Sequence, residues 1–263
     1  MRSEQRQEYI LENARKNSFI SITDTAKILG VSIETVRRDI NVLCQKNLLK
    51  KVHGGAAPMK LSIRKDPAFL TRIRDNQQAK ITIGLEGARM IRDGDVVSMD
   101  GGATCYVLAS CISGVRDVTF VINSLRIATV LMDKIVTGDI TGDIIMLGGK
   151  LEPSSYCSSD NIALESLSHF HFDKVFVSCS SFSKDSVANS SSSSSIIVRR
   201  MMENSNSSIL IADSDKLGKH SVYTFAKPTD FDRIIIDNKI PCPTDFLDSL
   251  HGTDTQLTIV DCN

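Results

Sequence analysis

"GVSIETVRRDINVL", residues 30–43, is the stretch of this chain whose spacing indicates a helix with one buried face. Val36, Ile40 and Leu43 recur at helical intervals, which predicts a single apolar stripe. Ser32 stands just before them in the position of a helix cap, where its hydroxyl can accept an otherwise unpaired backbone N–H. We therefore expect a capped amphipathic helix here.

Arg37 and Arg38 lie off this stripe, so they face either water or a charged partner. Two exposed arginines are ordinary on a solvated helix, and the neighbouring sequence has to distinguish that reading from a binding role. The preceding segment "SITDTAKILG", residues 21–30, predicts a shorter helix capped by Ser21 and ended by a turn at Gly30. Two such helices form a helix-turn-helix, whose second helix enters the DNA major groove. We place this motif at about residues 20–39.

The segments on either side complete a small domain. "EQRQEYILENARKN", residues 4–17, predicts a third, supporting helix, and "NLLKKVHGGAAP", residues 47–58, predicts a β-hairpin wing with cations near its turn. The candidate DNA-binding residues are Ser32, Thr35, Arg37, Arg38 and Asn41 on the recognition helix, and Lys51, His53 and Gly54 on the wing.

The distribution of charge supports a nucleic-acid partner for this part of the chain. Residues 1–60 contain 11 Lys and Arg against 6 Asp and Glu, whereas residues 61–263 contain 20 against 25. The neutral total therefore conceals a basic head on an acidic body. Because DNA is recognised through its phosphates by Lys and Arg, double-stranded operator DNA is the expected partner of the head.

The composition also argues against several classes of protein. No apolar run approaches the roughly 20 residues that cross a bilayer, and the polar start does not resemble a signal peptide. The seven cysteines are odd in number and include no CxxC pair, which argues against a zinc site and a disulfide framework. We expect a cytoplasmic protein with no membrane association, no metal and no cofactor.

The body shows a different pattern from the head. After a charged, proline-containing linker at 59–75, apolar runs of the buried-strand type alternate at first with helical segments; the runs include "DVVSM", "VTFVI", "DIIML", "KVFV", "SSILIA", "DRIIID" and "QLTIV". This alternation predicts a parallel or mostly parallel, Rossmann-like α/β sheet. The expected architecture is thus a winged helix-turn-helix at 1–58 and an α/β domain at 76–263.

Polar and glycine residues follow several of the predicted strands, at the carboxyl ends where parallel sheets bind ligands. Each one alone could be an ordinary strand-to-helix turn, but their repetition favours a pocket for a polyol or a phosphate. Free backbone N–H groups and the Thr104 hydroxyl could hold a phosphate, to which Lys216 would add a charge. The candidate effector-binding residues are Asp100, Gly101, Gly102, Thr104, Asn123, Ser124, Gly148, Gly149, Asp213 and Lys216.

Residues 1–58 resemble the N-terminal domain of the DeoR family of bacterial transcriptional regulators. The residues that carry the resemblance are Gly30-Val31-Ser32, Thr35-Val36-Arg37-Arg38-Asp39 and His53-Gly54-Gly55-Ala56. The body, from about 70 to 237, resembles the effector-binding domain of that family at Asp100-Gly101-Gly102 with Thr104, Asn123-Ser124, Gly148-Gly149, Asp213 with Lys216, and also at Arg72 and Lys80.

This resemblance implies an effector domain in the fold group of ribose-5-phosphate isomerase and glucosamine-6-phosphate deaminase. It also implies a regulator that usually represses or activates an adjacent sugar-use operon and senses a phosphorylated sugar; we expect a repressor. One segment departs from the family pattern: serines fill residues 178–200, with six in a row at 190–195. Such a tract predicts a flexible loop. If it lines the pocket, the ligand differs from the family norm or the pocket is silent.

An enzyme is the alternative from another class. The body alone could be a sugar-phosphate isomerase or deaminase, with Lys216 holding the phosphate and a carboxylate acting as base. However, no paired carboxylates stand near Asp100 and Asp213 in the sequence, and a DNA-reading head has no purpose in such an enzyme. We therefore expect a regulator without enzymatic activity. Because one recognition helix reads only a few base pairs, we also expect a homo-oligomer on repeated half-sites.

Overall fold

The computed structural model describes residues 3–17, 19–45, 48–52, 54–58 and 69–262. The chain divides into two compact units, residues 1–65 and residues 66–263, each with its own apolar core. The predicted combination of a winged helix-turn-helix with an α/β domain is confirmed.

The first unit contains short helices and a small antiparallel sheet. Its elements within the described ranges are α1 (Ser3–Asn17), β1 (Ile20–Ser21), α2 (Ile22–Leu29), α3 (Ile33–Gln45), β2 (Leu49–Val52) and β3 (Gly55–Pro58). The strands pair in the order β1-β3-β2, and β2 with β3 forms the predicted wing. The buried stripe of α3 packs with α1 and the wing around one apolar cluster.

Local signals explain where α2 and α3 begin and end. The Ser21 hydroxyl accepts the N–H of Asp24 and caps α2, and Gly30 ends that helix in the left-handed conformation, at φ +63°. The Ser32 hydroxyl accepts the N–H of Thr35 at 3.2 Å, so α3 starts at the predicted cap. A residue with a side chain would be strained at Gly30, which fixes the turn between the two helices.

Asp39 is a buried charge that joins α3 to α1. Its carboxylate accepts hydrogen bonds from Arg6 Nε at 2.8 Å, from the Ser3 hydroxyl at 3.0 Å and from the Gln7 amide at 3.3 Å. Burial alone would raise the pKa of Asp39, but these hydrogen bonds and the Arg6 charge outweigh it and hold that pKa below its usual value. The supporting helix is thereby fixed behind the recognition helix.

The second unit alternates strands and helices along most of its length. Its elements, within residues 69–262, are α4 (Phe69–Arg74), α5 (Gln77–Ala88), β4 (Val96–Met99), α6 (Ala103–Cys111), β5 (Val118–Ile122), α7 (Leu125–Val136), β6 (Gly142–Met146), β7 (Leu151–Glu152), β8 (Cys157–Ser158), α8 (Asn161–Leu167), β9 (Lys174–Val177), β10 (Ser181–Phe182), β11 (Val187–Asn189), α9 (Ser192–Glu203), β12 (Ser208–Ala212), β13 (Tyr223–Ala226), β14 (Arg233–Asp237), α10 (Thr244–Leu250) and β15 (Gln256–Val260).

A seven-stranded parallel sheet organises this part of the described chain, in the order β15-β14-β12-β9-β4-β5-β6. Successive residues of one strand enter different cores: Leu210 packs in one apolar cluster, whereas Ile209 and Ile211 pack in the other. Because both faces are covered, the strands need continuous apolar runs rather than alternating ones. The carboxyl ends of all seven strands lie along one edge, which is where the polar candidates occur.

The serine tract differs from its prediction. Ser191 caps α9 by accepting the N–H of Ser194, and the helix continues to Glu203. The other side of this helix buries Ile197, Val198 and Met201 in the core. Packing of that stripe outweighs the weak helix preference of serine. The prediction of a flexible loop at 190–195 is therefore wrong.

The predicted linker at 59–75 also differs where it is described. Residues 69–74 form α4, and Phe69 is buried with its ring 5.7 Å from that of Tyr106. The charges of this stretch lie on a short helix that belongs to the second unit. Residues 59–68 lie outside the described part of the chain, and the domain limits at 58 and 75 stay predictions.

Candidate functional site

The start of α3 presents the polar face predicted for DNA. Ser32, Arg37, Arg38 and Asn41 are exposed, and Thr35 is half-buried. The Arg37 guanidinium lies 3.8 Å from the carboxylate of Glu34, and both side chains are largely exposed. Such a surface pair is weak, so a phosphate can readily replace the carboxylate.

The wing places further candidates beside this face of the same unit. Lys51 on β2 is exposed, and Gly54 occupies the turn with φ +77°. His53 lies outside the described residues. Gly55 is required for packing, because a Cβ there would stand 2.0 Å from the carbonyl oxygen of Ile20. The family resemblance pointed to Gly55, but its contact partner on β1 is visible only in the fold.

Two lysines and an aspartate form a buried cluster at the end of β12. Asp213 Oδ2 lies 3.5 Å from the Nζ atoms of both Lys80 and Lys216. Asp213 and Lys80 are each only 3% exposed, whereas the Lys216 side chain is 20% exposed. Asn76 donates its side-chain amide to the other carboxylate oxygen at 3.1 Å. The charged groups of this cluster thus form their ion pairs mainly with one another.

The proton affinities in this cluster follow from burial and pairing. Burial would raise the pKa of Asp213, but the charges of Lys216 and Lys80 outweigh it and lower that pKa. Burial would lower the pKa of Lys216, but Asp213 outweighs it and raises that pKa. For Lys80 burial prevails and its pKa is lowered, although Asp213 opposes the change. The charged form of Lys80 therefore depends more on its carboxylate partner than that of Lys216 does.

Asp100 is a second buried carboxylate, at the end of β4. It accepts the Ser178 hydroxyl and the N–H of Gly102, both at 3.1 Å. Burial raises the pKa of Asp100 above its usual value. A Cβ on Gly102 would stand 1.7 Å from the Ser178 Oγ, and a Cβ on Gly101 would stand 1.9 Å from the Cys157 Sγ. The two glycines permit close approach of three chain segments.

Several buried polar atoms near the ends of β4 and β5 have no hydrogen-bond partner among the described residues. They are Thr104 Oγ1, Asn123 Oδ1 and Ser124 Oγ. Thr104 and Ser124 are fully buried, and Asn123 is 4% exposed. An unpaired buried polar group costs about 1–3 kcal/mol, so such groups mark a place that water or a ligand completes.

The candidate effector residues fall into an inner set and an outer pair. β12, β9, β4 and β5 lie side by side in this order, so Asp213 after β12 is one strand removed from Asp100 after β4, and Asn123 and Ser124 follow the next strand, β5. Gly148 and Gly149 follow the edge strand β6 and are exposed. Gly149 packs on Asp160, whose carboxylate would meet a Cβ there at 2.1 Å. The outer pair shapes a turn on Asp160, and no contact of theirs with the lysine cluster is found in the described part of the chain.

Two family models match this chain. The DeoR-like helix-turn-helix domain matches residues 6–60, and the DeoR C terminal sensor domain matches residues 75–238. The chain belongs to the DeoR family. This DeoR-family member is a DNA-binding transcriptional regulator with a sensor domain for a small-molecule effector, as the sequence predicts.

Similar proteins carry names of the same kind. An uncharacterised HTH-type transcriptional regulator of Staphylococcus epidermidis is 30% identical over 75% of this chain and 77% of that protein. The HTH-type transcriptional repressor GlcR of Bacillus subtilis is 29% identical over 99% of this chain and 98% of its own length. The regulator GolR of Listeria innocua is 27% identical over 90% and 91%. These relatives are named regulators, which decides against the isomerase or deaminase alternative.

Among solved structures, ribose 5-phosphate isomerase A from Methanocaldococcus jannaschii aligns with 54% of this chain and 55% of its own, at 12% identity and a TM-score of 0.39. A similarity this low supports no argument about the DeoR-family member. Within the described ranges, no helix is long and apolar enough to cross a membrane. The same residues bring together no group of three or more side chains suited to a metal ion.

Some residues of the sensor site could not be chosen from the sequence. Ser178 ends a buried strand, which is a weak signal, but its bond to Asp100 spans 78 positions. Arg126 and Tyr156 stack with 3.8 Å between the guanidinium carbon and the ring centroid, and no motif connects them. Cys157 is buried beside Gly101, and burial raises the pKa of its thiol to about 11. At neutral pH that thiol is therefore protonated and behaves as a small apolar group.

Proposed function

We propose that this DeoR-family regulator represses a carbohydrate-use operon and is controlled by a phosphorylated sugar or related polyol. The observation that carries the proposal is the line of buried polar groups at the ends of β12, β9, β4 and β5, including unpaired atoms of Thr104, Asn123 and Ser124. Buried acceptors and donors of this density suit the hydroxyl groups of a polyol. The protein acts in the cytoplasm, where the DNA is.

The effector contacts are assigned to the ten candidate residues of the sensor domain. Asp100 and Asp213 would accept sugar hydroxyls, and the main chain at Gly101 and Gly102 allows a ligand to approach the backbone closely. A ligand changes operator affinity only through its preference between two states of the protein, typically about 1–3 kcal/mol of coupling. The names of relatives such as the repressor GlcR support repression as the sign of control.

The DNA contacts are assigned to α3 and the wing. Arg37 and Arg38 are adjacent, so their side chains leave the helix roughly 100° apart. One can therefore reach a base edge while the other meets a phosphate. Lys51, His53 and Gly54 on the wing would contact the DNA backbone, which sets the position of α3 in the groove.

We further propose that the protein acts as a homo-oligomer through its second unit. The DNA-reading unit is small, whereas the second unit exposes large apolar side chains on one face of α7. Leu125, Met132 and Val136 are 45%, 54% and 79% exposed and are spaced at helical intervals. A second copy would bring a second recognition helix to the neighbouring half-site. Sedimentation that gives only monomer at micromolar concentration, with full operator affinity, would refute this.

The proposed control is tested with purified protein and genomic DNA fragments selected for binding. Operator affinity and thermal stability are measured with a panel of sugar phosphates and with the matching unphosphorylated sugars. We expect at least one sugar phosphate to stabilise the protein and to weaken operator binding, and Lys216→Ala to lose that response while still binding DNA. A panel without any effect, combined with intact DNA binding, would indicate a silent pocket.

A further inference from the structure

A group of cationic and aromatic side chains lies beside the unpaired hydroxyls of the sensor domain. The Arg126 guanidinium stacks on Tyr156 and stands 5.1 Å from the ring of Phe69, and that of Arg72 stands 5.6 Å from the same ring. Tyr106 packs edge-on against Phe69 from α6. The group thus joins α4, the starts of α6 and α7, and the turn before β8.

Arg126 is held in place without a carboxylate. Its Nε is buried and has no hydrogen-bond partner among the described residues, and no ion pair is formed by Arg126 within them. Stacking on Tyr156 restricts the guanidinium plane, while its N–H groups remain suited to an anion. A cation kept partly buried without a counter-charge requires an explanation.

Two helix starts converge on the same place. α6 begins after Gly102 and α7 after Ser124, and neither helix has a side-chain cap. A Cβ on Gly101 would lie 3.5 Å from Cβ of Ser124, so the two turns are in contact. The hydroxyls of Thr104 and Ser124 are fully buried in these turns without partners. Uncapped first-turn N–H groups and free hydroxyls are donors that an anion accepts.

The lysine cluster, by contrast, is already neutralised. Lys80 and Lys216 share Asp213, and the charge of Asp100 also acts on Lys216. Two ammonium groups therefore face two carboxylates. This half of the site has no surplus of positive charge for a phosphate dianion, whereas its carboxylates are good acceptors for hydroxyl groups.

We propose that Arg126, together with Arg72 and the first turns of α6 and α7, binds the phosphate of the effector, while Lys216 and Asp213 bind its hydroxyl end. The proposal rests on a phosphorylated sugar being the effector, and it assigns the phosphate to Arg126 and the two helix starts rather than to Lys216. Arg126 then selects phosphorylated over neutral sugars.

Inorganic phosphate is the probe for the anion site, and it replaces chloride at constant ionic strength. We expect Arg126→Gln to weaken phosphate binding by the full chain about tenfold or more, as expected for a lost charge-assisted hydrogen bond. Arg89→Gln is the matched control, because Arg89 is exposed on the same unit and pairs with Glu86 on the surface. It should bind phosphate as the wild type does, and Lys216→Ala should lose much less phosphate affinity than Arg126→Gln does. Arg126→Lys, which keeps the charge, should restore part of the binding.

The outcomes separate this inference from the proposed function. If Arg126→Gln binds phosphate like the wild type, if Lys216→Ala is the variant that loses it, or if the wild type binds none, the anion site is wrong. Hydrogen exchange of peptides that cover β4 and β5, measured alongside, shows whether the second unit of Arg126→Gln is folded. Phosphate binding that depends on Arg126, without any effect of sugar phosphates on operator affinity, would support the anion site and refute the proposed control. If a sugar phosphate releases operator DNA from Arg126→Gln as readily as from the wild type, the proposed control is supported and the anion site is refuted.

Discussion

Replacing Asp213 by asparagine should destabilise the second unit strongly, because it removes the counter-charge of two buried ammonium groups. At 3.5 Å, each pair is worth about 4–5 kcal/mol of attraction at an effective dielectric constant of 20, before desolvation is subtracted. The protein can limit the loss by releasing the proton of Lys80. From an ordinary pKa of 10.5, that release costs about 5 kcal/mol at pH 7. We therefore expect a loss of about 3–5 kcal/mol in the free energy of unfolding.

The pH dependence gives this prediction a second signature. If Lys80 of the variant is neutral when folded and charged when unfolded, the unfolded state binds more protons. The stability of the variant then rises with pH, by about 1.4 kcal/mol per unit between pH 7 and pH 9. The difference from the wild type should therefore shrink on going from pH 7 to pH 9. Removing one cation as well, in Asp213→Asn/Lys216→Met, should restore part of the stability at pH 7.

Hydrogen exchange of peptides that cover β12 and β9, followed in urea, reports the free energy of unfolding of this unit separately from the first. Asp245→Asn is the matched control. Asp245 pairs with Lys184 at 3.4 Å and both side chains are exposed, so its loss should cost at most about 1 kcal/mol. A difference of less than 1 kcal/mol between the two variants at pH 7 would refute the reasoning about the buried cluster.

Three further changes test other parts of the structure. Gly102→Ala should lose the effector response and destabilise the second unit by about 1–3 kcal/mol, because its Cβ would meet Ser178; thermal shift with and without sugar phosphate measures both effects. Ser191→Ala should cost about 1 kcal/mol in urea unfolding by removing the cap of α9, and an unchanged midpoint would argue against the helix start. Asp39 has a lowered pKa, so its contribution is present above its unfolded pKa of about 3.8 and is lost as pH falls through the lower folded value. In Asp39→Asn, the stability of α1 and α3 should therefore fall less between pH 5 and pH 3 than in the wild type. Hydrogen exchange of the two helices measures this difference.

The sequence was informative wherever local signals decide the structure. Ser32, Gly30 and the stripe of Val36, Ile40 and Leu43 determine α3 through capping and spacing alone, and continuous apolar runs determine the central strands. The serine tract misled because composition indicated a loop. There the buried stripe on the other side of α9 overrides the weak helix preference of serine.

The chemistry of the sensor domain was harder to predict because it depends on distant partners. Lys80 and Asp213 are 133 positions apart, and Arg126 meets Tyr156 only after the chain has passed through β6. The sequence placed Lys216 near a phosphate because it carries a charge after a strand. Only the fold shows that this charge is already balanced by Asp213.

The central claim is that α3 reads DNA for a ligand-controlled regulator. Its most direct test is equilibrium binding of a selected operator fragment at several salt concentrations, by the wild type, Arg37→Ala, Arg38→Ala and the control Arg89→Gln. We expect one α3 variant to lose about 1–3 kcal/mol of affinity for the operator and to tolerate changes at one base pair. The other should weaken binding to all sequences and lower the salt slope by about one, while Arg89→Gln binds as the wild type does. If both α3 variants bind the operator with wild-type affinity and salt dependence, α3 does not read DNA.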